Sequence, residues 1–115
     1  MIIIVAALEF ATQEKRDEAV ALTADVQRLT RLEEPGCFDY CFAPDPAEPT
    51  RIQVYELWEN RECLVAHFKH PYYDRMASLL RGVGMVSSTN QAYLIERGES
   101  VYTETGGKKT VFFQD

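Results

Sequence analysis

Residues 51–73 read RIQVYELWENRECLVAHFKHPYY, and this stretch changes period in its middle. Arg51 to Trp58 alternates apolar and polar side chains as a strand does, while the residues after Asn60 place apolar groups at helical spacing. In a strand, successive side chains point to opposite faces, so Ile52, Val54, Glu56 and Trp58 share one face, with Gln53, Tyr55 and Leu57 on the other. Glu56 is therefore a carboxylate in line with an apolar row. On the helix that follows, Leu64, His67 and Phe68 form an i, i+3, i+4 stripe that should turn back onto the sheet. The expectation is that Glu56 and His67 meet in a sheltered place, as a structural hydrogen bond or as a proton-handling pair.

Working outward, the 115 residues suit one domain with one core, and 46% of them are apolar. Twelve basic against eighteen acidic residues give a net charge of −6, which argues against nucleic acid, whose phosphates need clustered Lys and Arg. The opening IIIVAALEF is too short to span a bilayer and lacks a basic flank or cleavage site, so it reads as a strand and no membrane partner is expected. A cytoplasmic location is the default. The three cysteines, Cys37, Cys41 and Cys63, read as reduced thiols. Cys37 and Cys41 would sit roughly 13 Å apart along one strand, beyond bridging distance. With only His67 and His70 to add, no metal site is expected.

Ile2 to Phe10 is β-branched on both parities, as in a central strand covered on both faces. From Gln13 to Glu33, Ala19, Leu22, Val26 and Leu29 recur at steps of three and four, predicting an amphipathic helix whose wet face carries Lys15, Asp17, Asp25, Arg28 and Arg31. Glu34-Pro35-Gly36 stops it. Cys37 to Ala43 predicts a second strand with Phe38, Tyr40 and Phe42 on one face, and the proline-rich 44–49 segment leads antiparallel into the Arg51 strand. His70-Pro71 breaks the following helix and starts another, which carries Tyr72, Tyr73, Met76, Leu79 and Leu80 and ends at Gly82 and Gly84. Thr89 to Glu96 is the fourth strand.

The order β-α-β-β-α-β predicts an α+β, ferredoxin-like fold, a four-stranded antiparallel sheet with helices on one face. The other face has no helices left to cover it, so the reading is a homodimer in which that face packs on a second copy. Residues 1–98 form the domain. Residues 99–115, with VYTET, a GG turn and TVFF, form a hairpin-like extension that adds an edge strand or reaches to the partner.

Glu34-x-Gly36-Cys37-x-x-Tyr40, Glu56-x-Trp58 and Ala66-His67 with Pro71 four residues on resemble the antibiotic biosynthesis monooxygenase superfamily, nearest its small quinol-monooxygenase-like proteins. The resemblance spans roughly residues 1–97. It implies a dimeric α+β barrel with an apolar pocket between sheet and helices. In the members that are enzymes it also implies oxidation of phenols or quinols by oxygen without flavin, haem or metal. Glu56, Trp58 and His67 fall on its recurring positions. Where some polyketide-oxidising members carry Asn, four residues before the Trp, this chain has Val54, and where quinol-type members have His after the proline it has Tyr72. The Ala6-Ala7 region lacks the Asn of the haem-degrading branch.

On this reading no cofactor is needed: a base that makes a phenolate in a dry pocket lets the substrate itself reduce oxygen. His67 would be that base, Glu56 would orient it, and Trp58 would complete the catalytic group. Val54, Leu64, Phe68, Tyr72 and Tyr93 would hold a small aromatic or quinol-like ligand. Two functions stay open: a cofactor-independent monooxygenase, and a non-oxidative dimeric protein that binds or isomerises a small metabolite in the same pocket.

Overall fold

The computed structural model describes residues 1–114. Its elements run β1 (Ile2–Glu9), α1 (Gln13–Glu33), β2 (Cys37–Pro44), β3 (Arg51–Trp58), α2 (Arg61–Phe68), α3 (Pro71–Val83) and β4 (Ser87–Leu94). The four strands form one antiparallel sheet in the order β2-β3-β1-β4, so the fold is the ferredoxin-like α+β arrangement expected. β1, apolar on both parities, is interior in the sheet as predicted.

Each helix starts where a side chain can take an orphan amide. Thr12, Asn60 and His70 accept from Lys15 N, Cys63 N and Tyr72 N, at 3.2, 2.9 and 3.0 Å, and Gly84 (φ 100°) closes α3. Ile52, Val54, Glu56 and Trp58 all face the helices, as the alternation predicts. They meet Ala6, Leu8, Ala19, Val26, Met76 and Leu80 in the core.

The buried side of α1 is rotated from the expected stripe. Leu22 is exposed, while Thr23, Gln27 and Thr30 are buried. Polar residues are tolerated there because their bonds are local or spent on the sheet. Thr23 Oγ1 donates to Ala19 O at 2.8 Å, and the Gln27 amide bonds both Phe42 N (2.8 Å) and Phe42 O (3.3 Å). With Arg31 Nε donating to Tyr40 O at 2.7 Å, α1 closes the free edge of β2 against strand addition.

A bulge between Cys37 and Asp39 leaves Phe38 unpaired and half-exposed, so Phe38 does not join Tyr40 and Phe42 on the inner face. Gly36 adopts φ 74°, and a Cβ there would collide with Cys63 Sγ. Its carbonyl accepts from Glu59 N at 2.8 Å. The turn after α1 is thereby locked beneath the start of α2.

No helix covers β4, whose residues are exposed on both faces. The opposite sheet face is also bare, with Val5, Tyr55 and Tyr93 at 43%, 39% and 54% exposure. Among the described residues the extension adds no strand to the sheet. It folds on itself through a Tyr102–Lys108 bridge and a turn at Gly106, with Arg97 and Lys109 over the rings of Phe113 and Phe112. The radius of gyration is 16.2 Å, above the roughly 13 Å of a compact chain this long.

Candidate functional site

A cavity of about 530 Å³ lies between the sheet, all four strands of which contribute to its lining, and α2 and α3, a size ordinary for small-ligand sites. Tyr40, Glu56 and His67 line its inner end, with Val54, Leu64 and Phe68 among its apolar walls. Five of the eight residues singled out from the sequence thus share one hollow.

The pairing within it differs from the expectation. His67 Nδ1 lies 2.8 Å from Oε1 of Glu34, the residue that caps the end of α1, and Glu56 Oε1 accepts instead from Trp58 Nε1 at 2.9 Å. Glu56 therefore does not orient the imidazole. The locked Glu34-Pro35-Gly36 turn carries a carboxylate under α2 to do so. His67 and Glu34 are only 2% and 6% exposed, and Glu34 Oε2 is buried without a hydrogen-bond partner among the described residues.

Trp58 is fully buried and does not line the cavity. It stands behind the site, its ring 4.6 Å from that of His67 and its N–H on Glu56. Tyr72 is also misplaced by the sequence reading: its hydroxyl donates to Glu33 on α1, and Tyr73, one residue on, meets the His67 ring at 5.6 Å and lines the cavity. Tyr93 pairs with Ile3, on the register that turns both to the bare sheet face, so it lies outside the cavity.

Glu34, Tyr40 and Tyr73 are the site residues that sequence reasoning missed. The Glu-x-Gly-Cys-x-x-Tyr pattern contained the first two. Tyr40 is 1% exposed, packs on His67 at 5.3 Å, and burial pushes its phenol pKa up, so it stays a neutral O–H donor.

Electrostatics divides the labour. Burial pushes the Glu56 carboxyl up to about 7; the Trp58 hydrogen bond opposes this and the charge of Glu34 adds to it. Burial likewise holds His67 below the ordinary imidazole range, against the pull of Glu34. At neutral pH the imidazole is unprotonated at one nitrogen. With Nδ1 on the Glu34 carboxyl, Nε2 is the ring nitrogen free of that contact, on a residue that lines the cavity. The inner end thus holds a poised base, a carboxyl that titrates near neutrality and a phenol donor.

Among the described residues there is no cluster of three or more His, Cys, Asp or Glu side chains placed to hold a metal ion. No helix there is long and apolar enough to cross a membrane.

A sequence profile of the antibiotic biosynthesis monooxygenase family matches residues 1–78. An uncharacterized Synechocystis protein is 37% identical over 60 residues, covering 52% of this chain and 40% of that one, so the match spans less than half of the relative. A Deinococcus radiodurans structure classed among the antibiotic biosynthesis monooxygenases superposes with a TM-score of 0.79 at 21% identity, covering 90% of this chain and 100% of that chain. SnoaB of Streptomyces nogalater, a cofactor-independent oxygenase, superposes with a TM-score of 0.63 at 12% identity, covering 84% of this chain and 94% of the other. At such identities the structural likeness establishes the fold.

Proposed function

The chain belongs to the antibiotic biosynthesis monooxygenase family, and from that premise we propose that it oxidises a small phenolic or quinol substrate with molecular oxygen, without flavin, haem or metal. One observation carries the reading: a buried imidazole whose Nδ1 lies 2.8 Å from a buried carboxyl lines a largely apolar cavity.

For a phenol with a para C–H, His67 Nε2 takes the hydroxyl proton. The phenolate passes one electron to oxygen, and the radical pair, confined by the apolar walls, joins to form a C–O bond at the para carbon. The imidazolium, steadied by Glu34, returns its proton to the peroxide anion. Glu56 then removes the proton from that carbon; the C–H electrons become the carbonyl bond as the O–O bond breaks, and Glu56 gives the proton to the departing hydroxide. One phenol and one oxygen molecule yield one quinone and one water, with both protein groups restored. Tyr40 O–H is the donor available to the anionic oxygen intermediates.

Trp58 acts by holding Glu56 and backing His67. A second reading has support in the same pair: a neutral imidazole and a carboxyl titrating near 7 also suit keto–enol isomerisation, which consumes no oxygen. We read the assembly as a homodimer that buries the bare sheet face, and the cell compartment as the cytoplasm. Oxygen uptake, followed with an electrode over a panel of phenols and 1-naphthols with an open para carbon, alongside hydroquinones, in chelator-treated buffer, discriminates. Uptake that His67→Ala lowers by 100-fold or so supports the oxygenase; isomerisation without uptake replaces it, and undiminished turnover by the variant removes His67 as base.

A further inference from the structure

The outer end of the cavity has a different chemistry from the inner end. Arg81, from the last turn of α3, lines it together with Ser88 and Asn90 of β4. Arg28, Arg51 and Arg75 are each spent on a carboxylate, whereas Arg81 forms no ion pair among the described residues. Ser88 and Asn90 sit on the same strand face, two residues apart, in register with Leu8 and Ala6 and therefore turned to the helix side. Asn90 Nδ2 donates to Ser88 Oγ at 3.0 Å, which leaves the hydroxyl proton and the second amide proton for another acceptor. This end is rich in donors and carries a positive charge, in a chain whose net charge is −6.

Resting on the reading of the cavity as an aromatic substrate site, we infer that the ligand is a hydroxylated aromatic carboxylate. Its hydroxyl lies at His67 and Glu56, and its carboxylate at Arg81, Ser88 and Asn90. Strand register sets the scale. Glu56 pairs with Ile4, and Asn90 with Ala6, so their backbones are two strand spacings and one two-residue step apart, about 12 Å. That suits two fused rings with groups at opposite ends. Orientation follows from charge: Glu34 and Glu56 repel a carboxylate from the inner end, while the guanidinium can bind it bidentately at the outer one. β4 has no helix over it, so the ligand enters on that side and its anionic end stays beside water, avoiding the cost of burying a charge.

The test is calorimetric titration with 5-hydroxy-2-naphthoate, whose carbon para to the hydroxyl bears hydrogen, and with the neutral 5-hydroxy-2-naphthamide, against the wild type, Arg81→Gln and Arg81→Lys. The wild type should favour the carboxylate at least tenfold. Arg81→Gln should remove that preference by weakening carboxylate binding far more than amide binding, and Arg81→Lys should retain part of it. Equal affinity for the two ligands in the wild type, a preference that survives in Arg81→Gln, or no binding of the carboxylate would overturn the inference. Oxygen uptake with a neutral hydroquinone separates its fate from that of the proposed reaction. Uptake without carboxylate preference sinks only the ligand class, and preference without uptake of oxygen by any phenol sinks only the oxygenase.

Discussion

His67 Nδ1 and Glu34 Oε1 stand 2.8 Å apart, although 33 residues separate them in the chain and both side chains are sealed from solvent. The pair joins the exit of α1 to the end of α2, so one contact sets both the tautomer of the imidazole and the seat of the helix that carries it. The carboxylate's other oxygen has no hydrogen-bond partner among the described residues and only the His70 ring nitrogen 4.0 Å away, so the two imidazoles are what can compensate its charge.

Glu34→Gln retains an acceptor for Nδ1–H and removes the charge that steadies the imidazolium. Turnover should fall tenfold or more, with the acid limb of the pH–rate profile moving to lower pH because His67 then binds its proton less tightly. Glu34→Ala additionally strips a buried partner and should cost about 1.5–3 kcal/mol in urea unfolding. An unchanged acid limb in Glu34→Gln would mean that the pair is only a fastening between helices.

Glu56 should make the protein less stable as pH rises through neutrality. Its folded pKa, about 7, is above the ordinary carboxyl range, so the native state holds a proton that the unfolded chain has released. The stabilisation is complete below the unfolded value near 4.5 and lost by about pH 8, an effect of up to roughly 3 kcal/mol. His67 has the opposite sign: its lowered pKa costs stability as pH falls below the ordinary imidazole value of 6.5. Thermal melts from pH 5 to 8 should therefore show the Glu56 decline in the wild type and lose it in Glu56→Gln. A decline of the same size in that variant would assign it to another group.

Which parts of this arrangement were legible in the sequence depends on the range of the interaction. The period-2 alternation of Arg51–Trp58 placed Glu56 and Trp58 on the inner face, and the helical stripe brought Leu64, His67 and Phe68 over it. Those are local signals. The choice between Tyr72 and Tyr73 depends on the phase in which Pro71 starts α3, and apolarity does not separate two neighbouring tyrosines. Leu22 and Thr23 exchange places for a related reason: a threonine that back-bonds within its helix can be buried as cheaply as an apolar residue. Tyr93 had the right parity for the bare face, but its aromatic character suggested a pocket wall. The Glu34–His67 contact required the path of the chain around the Gly36 turn, which no periodicity encodes.

Gly36→Ala tests that path. The backbone there has φ 74°, and an added Cβ would run into Cys63 Sγ and approach Glu59 Cβ at 3.2 Å. A loss of about 2 kcal/mol or more, a fall in melting temperature on the order of 10 °C, is expected from the two effects together. In the Cys63→Ala background the penalty should shrink, since the steric part is partly relieved while the strain at positive φ remains. A penalty identical in both backgrounds would mean that Cys63 yields without cost and the turn is not locked by contact.

Val5 tests the twofold assembly. It sits on interior strand β1, on the bare face, with Tyr55 opposite it on β3, and 43% of its surface is open in the single chain. In a monomer a lysine at this position would keep its ammonium in water, and the change should alter stability by no more than about 0.5 kcal/mol. Between two copies it would bury an ammonium from each in an apolar layer, a cost an interface cannot absorb without opening. Sedimentation equilibrium should therefore give twice the 13.2 kDa chain mass for the wild type and the single mass for Val5→Lys, with the same helical content by circular dichroism. Removing residues 99–115 asks whether the extension reaches across to the partner: a weaker but still dimeric protein is the expected result, because in the proposed dimer the sheet face supplies the main contact. A wild type that sediments as a single chain, its sheet face bare in solution, would remove the dimer and leave the cavity of each protomer to work alone.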